Sequence, residues 1–313
     1  MRASFSSHFG MRLLAGALLA LGLTGGALAQ TRDRVVVASK IDTEGALLGH
    51  MIVLALEHAK VPVESRVQLG PTKVVRTALV SGEIDLYPEY TGNGAFFHTM
   101  ENDPAWKAAE SAFATVKRLD QEKHNLVWLD RAPANNTWLI ATRGDLAKRE
   151  NLRTMEDFAR LSKRTGAVKL AGSAEFVESA AALPSFERVY DFKLPRDQIV
   201  VLPGGDTAVT MRAAAQGVSG VNTAMVYGTD GAIAALDLVV MEDTKGAQIV
   251  YEPAPVVRAE VLQRHPAIGP ALAKVFASLN MTTLQKLNAE IAVEGKPARD
   301  VAKAYLDQQG LLR

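Results

Sequence analysis

From Arg34 to the C-terminus, short β-branched runs alternate with longer amphipathic ones, and this alternation leaves few folds open. Strands separated by helices assemble through βαβ units, which places the chain in the α/β class. The run 34–39 (RVVVAS) reads as a buried strand. The run 43–59 follows as a helix, because Leu47, Leu48, Met51, Ile52, Ala55 and Leu56 form one apolar stripe. Asp42 or Thr43 can cap its first turn. Further strands are expected at 66–69, 84–87 and 126–129, with helices at 72–80 and 106–122.

The run 137–142 (TWLIAT) reads as a first crossing into a second lobe. That lobe is expected to hold helices at 155–161, 175–190 and 207–216 and strands at 168–171, 198–202 and 220–226. The chain is then expected to return near 225–231, to pair as a strand over 248–257, and to end in helices at 267–279, 282–293 and 298–309. Lobe 1 would be 30–137 plus 230–313, and lobe 2 would be 138–229. Two crossings make a hinge, and open α/β sheets bind ligands at the strand ends that face such a cleft.

Residues 1–29 read as a signal peptide. Arg2 and Arg12 supply a positive start, 13–23 an apolar run, and Ala27-Leu28-Ala29 a small-x-small cleavage site after Ala29. The apolar run is shorter than the roughly 20 residues that span a bilayer. A soluble, periplasmic, monomeric chain with no direct membrane insertion is therefore expected. The sequence has no Cys, which excludes disulfides, a thiolate nucleophile, Cys-bound metal and a lipidated N-terminal Cys. With 35 Lys+Arg against 34 Asp+Glu there is no basic excess to bind nucleic acid.

Enzyme signatures are missing. There is no G-x-S-x-G, no H-E-x-x-H, no P-loop and no G-x-G-x-x-G after a strand. His50, His58, His98, His124 and His265 lack paired metal spacing, and no carboxylates stand out as an acid/base pair. The chain reads as a non-enzyme without cofactor or metal.

Polar and aromatic clusters at predicted strand ends stand out instead. Ser39 to Glu44 joins the first strand to the first helix; Lys40 and Thr43 either form an ordinary capped loop or meet a ligand at the helix N-terminus. Tyr87-Pro88-Glu89-Tyr90-Thr91-Gly92-Asn93-Gly94 reads as a rigid turn after a strand ending at Leu86, able to present a ring or to cover the core edge. Asn136 and Trp138 sit at the first crossing, where Trp138 packs the lobe interface or faces the cleft. Gly204-Gly205-Asp206-Thr207 caps the next helix, and Tyr227 belongs to the expected return. Rings arriving at both crossings and at a strand end form a cage pattern. Ring faces attract cations by roughly 0.5–2 kcal/mol each, and a quaternary ammonium has no N–H to bind otherwise.

The motifs S-K-I-D-T-E-G-A-L-L-G, Q-L-G-P-T, G-E-I-D-L-Y-P-E-Y-T-G-N-G, A-P-A-N-N-T-W, S-A-E-F and Y-G-T-D-G occur in order from about Val35 onward. In this the chain resembles the periplasmic osmoprotectant-binding proteins of glycine betaine/choline/carnitine ABC importers. The resemblance implies a type II periplasmic-binding fold, a small quaternary amine as ligand and a membrane permease as partner. It also implies that Tyr90, Trp138 and Tyr227 cage the trimethylammonium, with Lys40 and Asn93 at the same cleft. Many relatives carry an Arg three positions after A-E-F that grips the betaine carboxylate; here Ser179 stands in its place. Losing that charge-assisted pair removes roughly 1.5–3 kcal/mol, which favours choline or another cation without a carboxylate.

Overall fold

All six residues of the first strand, Val35–Lys40, are buried. Alternate side chains of a strand point to opposite faces. Val35 and Val37 accordingly enter one core, while Val36 and Ala38 enter another. A strand covered on both faces belongs inside a parallel sheet flanked by helices.

The computed structural model describes residues 34–202 and 207–312, so the signal-peptide reading of 1–29 and Asp206 lie outside the described residues. The first stretch runs β1 (Val35–Lys40), α1 (Thr43–His58), β2 (Val63–Gly70), α2 (Thr72–Ser81), β3 (Leu86–Tyr90), α3 (Asn93–Phe97), α4 (Ala109–His124) and β4 (Leu126–Trp128). The second runs β5 (Trp138–Arg143), α5 (Gly144–Glu150), α6 (Met155–Ser162), β6 (Leu170–Ser173), α7 (Ala174–Glu178), α8 (Leu183–Tyr190), β7 (Ile199–Leu202), α9 (Thr207–Gln216), β8 (Thr223–Tyr227), α10 (Ala232–Ala235) and β9 (Leu238–Val240). The last holds β10 (Pro253–Arg258), α11 (Ala259–Arg264), α12 (Ile268–Ala277), α13 (Met281–Ala292) and α14 (Ala298–Gln308).

Two five-stranded sheets result, ordered β2-β1-β3-β10-β4 and β7-β6-β8-β5-β9. Each has a parallel set into which one strand is laid antiparallel. In the first sheet that strand is β10, and in the second it is β5. Both are the first strands made after the chain changes lobe.

The sheet pairing moves the expected return. β9 pairs with β5, so 238–240 belongs to the second sheet, not to lobe 1 as the boundary at 230 implies. The chain stays with the second lobe through Met241 and Ala247, which belong to its core, and the return is the segment 248–252. The strand expected at 248–257 therefore pairs only from Pro253. Three further differences have local causes. The helix expected at 175–190 is two, α7 and α8, because Pro184 belongs to the first turn of α8 and cannot sit inside a longer helix. β3 extends through Pro88 to Tyr90, so the supposed turn begins only after Tyr90. Pro88 is tolerated there because it lies opposite Pro255, whose carbonyl turns to Leu129 on the other side.

α1 is buried nearly all round rather than along one stripe. Its inner side packs on β1 and β2, and α12, α13 and α14 cover the rest. Asp42 caps it, accepting from the Gly45 N–H at 2.7 Å. These contacts hold the N-terminus of α1, with Thr43 and Glu44, against the end of β1.

Candidate functional site

A cleft of about 1320 Å³ opens where the strand ends of the two sheets face each other. Lys40, Thr43, Tyr90, Asn93, Asn136, Trp138, Thr207 and Tyr227 all line it. Ser179 does not. It ends α7 in an extended conformation, half-buried, with its Oγ accepting weakly from the Ala181 N–H. Glu175, one turn earlier on α7, lines the cleft instead.

Trp138 and Tyr227 are directly paired in the β5–β8 ladder, which brings their rings together across the strands. The centroids lie 6.3 Å apart at 21°. Phe176, fully buried, meets Trp138 edge-on at 6.3 Å and sets its orientation. Both of these rings belong to the second lobe, and Tyr227 is not at the return crossing. The aromatic there is Tyr251, which also lines the cleft. Sequence reasoning missed it because the crossing had been placed near 225–231. Burial raises the phenol of Tyr227 to about 12 and lifts that of Tyr251 as well, so both stay neutral.

The crossings are tied together. Asn136 N–H donates to the Tyr251 carbonyl and Tyr251 N–H to Asn135 Oδ1, each at 2.8 Å. Two glycines make this fit. A Cβ at Gly92 would sit 2.7 Å from the Tyr251 ring, and one at Gly228 only 2.3 Å from the Asn135 carbonyl oxygen. Gly228→Ala is therefore expected to cost about 1–3 kcal/mol through overpacking against backbone; an unchanged urea midpoint would refute that.

On the first lobe, polar side chains converge on two buried carboxylates. Glu89 accepts from Lys40 Nζ at 2.5 Å and from Tyr87 OH, the Tyr90 N–H and Asn93 Nδ2 at 2.7 Å each. Lys40 also lies 4.4 Å from the Tyr90 ring centroid. It is an engaged cation, not one free to replace the missing Arg. Burial, then the Glu89 carboxylate, push the Tyr87 phenol well above its ordinary range.

Glu44 was not among the residues expected to bind. It accepts from Tyr90 OH at 2.7 Å, from Asn288 Nδ2 at 2.6 Å and from Asn136 Nδ2 at 3.2 Å. Burial pushes its carboxyl up to about 7, with hydrogen bonds from Thr229, Tyr90 and Asn288 opposing the rise. Its place in the T-E pair at the start of α1 was visible in the sequence, but its partners come from three distant segments.

Among the described residues no group of three His, Asp or Glu is placed to hold a metal ion, and no helix is long and apolar enough to cross a membrane. The site offers rings, buried acceptors and amides, which suits reversible capture of a solute.

Two α/β lobes joined by two crossings, with a polar and aromatic cleft between their strand ends, define a periplasmic-binding-protein fold. The chain belongs to the family described as the substrate binding domain of ABC-type glycine betaine transport systems, whose model matches residues 33–308. It is 55% identical over 300 residues to the glycine betaine-binding protein YehZ of Escherichia coli, covering 96% of this chain and 98% of that one. It is 30% identical over 301 residues to a glycine-betaine-binding protein of Pseudomonas aeruginosa, covering 94% of each. The solved apo structure of the Escherichia coli YehZ superposes with a TM-score of 0.79 at 56% identity, covering 89% of this chain and 99% of that chain.

Proposed function

We propose that this protein captures a small quaternary amine, of the glycine betaine or choline type, and delivers it to the permease of an ABC importer in the periplasm. The observation that carries this is the stacked Trp138–Tyr227 pair, which lines one cleft together with Tyr90 and Tyr251. Aromatic rings gathered at one cleft suit a trimethylammonium head, which neither hydrogen-bonds nor needs a metal. The cleft is larger than the roughly 300–1,000 Å³ of ordinary ligand sites, so closure of the lobes about the paired crossings would complete the cage. Nothing in the site is arranged as a nucleophile with its base, and the reading is of a binder rather than an enzyme. Calorimetric titration with glycine betaine, choline, carnitine, proline betaine and ectoine tests it. Binding of trimethylammonium compounds, with ectoine rejected, is the expected pattern. Failure to bind any of them would overturn the reading.

Selectivity between the two heads rests on the ligand's other end. Arg76 is held by Asp120 and Lys40 by Glu89, while Lys73 and Arg212 also line the cleft. Ser179 is the C-cap just past α7, four residues after the cleft-lining Glu175. An arginine there would reach toward the cleft. Ser179→Arg is expected to raise the ratio of glycine betaine to choline affinity by about tenfold, the effect of one charge-assisted pair. An unchanged ratio would show that the position does not address the ligand.

A further inference from the structure

We infer that Glu44 is the counter-ion of the bound cation, so that a proton and the ligand's quaternary ammonium compete for one buried carboxylate. The inference rests on the proposed quaternary-amine function. Its first support is geometric. Glu44 lines the cleft beside Tyr90, is only 5% exposed, and its hydrogen-bond donors are all neutral: Tyr90, Asn136 and Asn288, with Thr229 beside them. No Lys or Arg pairs with it among the described residues, and the nearby Lys40 is bound to Glu89. A buried anion without a cation is costly, and proteins remove that cost by protonation or by a bound positive charge.

A second observation is independent of the charge. Asn136 and Asn288 both turn their N–H groups to Glu44, which leaves Asn136 Oδ1 and Asn288 Oδ1 buried with no partner. A half-turn of the Asn136 amide would let its oxygen accept from a protonated Glu44, while Asn288 stays in place through its Nδ2 donation to the Thr229 carbonyl at 2.9 Å. Each of the two charge states therefore has a satisfied arrangement. The exchange balances: protonated Glu44 plus cationic ligand gives carboxylate, bound cation and one released proton.

Other charged groups around Glu44 do not mimic this. Asp42 stands on the same helix and caps it, Asp230 follows Thr229, and Lys40 with Glu89 form a closed pair on β1 and β3. From α13 comes Asn288, which is neutral, and α14 meets α1 at its far end, where Arg299 pairs with Glu57. No histidine lines the cleft.

The sign follows from linkage. Acidification fills Glu44 with a proton that the ligand must displace, so affinity falls as pH drops below about 7 and is level above it. Calorimetry of the full chain with choline and with glycine betaine, in two buffers of different ionisation enthalpy, reads this directly. At pH 7 about half a proton should be released per ligand, and binding at pH 6 should be about tenfold weaker than at pH 8. Glu44→Gln should release no proton, lose the pH dependence and bind about tenfold more weakly than wild type at pH 8, whereas Glu44→Asp should retain proton release. Should the Gln variant not fold, the wild-type proton count decides alone. Binding without proton release, equal at pH 6 and pH 8, overturns this inference and leaves the proposed function standing. Absence of binding by either ligand at every pH overturns both.

Discussion

Replacing Trp138 with alanine is expected to weaken quaternary-amine binding by about 2 kcal/mol or more, at least about thirtyfold. The indole is half-buried, stacked on Tyr227 and braced edge-on by Phe176. Its removal takes away a cation-attracting face and also leaves Tyr227 without the neighbour that fixes its ring. Trp138→Phe keeps an aromatic face at the same point of the β5–β8 ladder and should lose only about five- to tenfold, since Phe is the weaker partner for a cation. Titration calorimetry separates the two variants. Wild-type affinity in Trp138→Ala would show that the ring packs the lobe and does not meet the ligand.

The second large effect concerns stability. Asp120 is fully buried in the first lobe and accepts from Arg76 Nη1 and Nη2 at 2.8 and 2.5 Å, from Trp128 Nε1 at 2.7 Å and from His98 Nε2 at 2.9 Å. Burial alone would raise its carboxyl; the Arg76 guanidinium and the Trp128 N–H outweigh it and hold the group below the usual range. Asp120→Ala would leave the buried Arg76 charge unpaired, at a cost of about 3–5 kcal/mol. Denaturant unfolding should show this as a lower midpoint with unchanged slope. Asp120→Asn, which still accepts from Trp128, should cost less. The depressed carboxyl also gives the sign with pH. Its contribution is present above the unfolded value near 4 and is lost as pH falls through the lower folded value, so acid should narrow the gap between Asp120→Ala and wild type.

The two lobes differ in how they hold the site. The second supplies rings fixed by strand register, since Trp138 and Tyr227 face each other in one ladder. The first supplies a polar floor in which Glu89 gathers Lys40, Tyr87 and Asn93, and Glu44 gathers Tyr90, Asn136 and Asn288. The aromatic pair of one lobe and the polar floor of the other line the same cleft.

Local chemistry determined much of this before any folding was considered. The β-branched run at 34–39 read as a buried strand, and the Asp42 cap with the apolar positions behind it placed α1 within one residue. Those two elements brought Lys40 and Thr43 to a strand end and a helix start. Pro184, too, stood in the sequence as a break in any helix over 175–190, although the apolar spacing pointed the other way. What the tertiary structure alone decided is non-local. The return crossing depends on three residues, Leu238–Val240, finding β5, and with it came Tyr251 as a cleft residue. Glu44 receives Asn288 from 244 positions away and Asn136 from 92. No periodicity within a window of one or two turns reports such meetings, because they are set by how helices α12 to α14 lie over α1 after the chain has come back. The same distance accounts for Ser179: its motif position marked it for the cleft, and the end of α7 turned it aside.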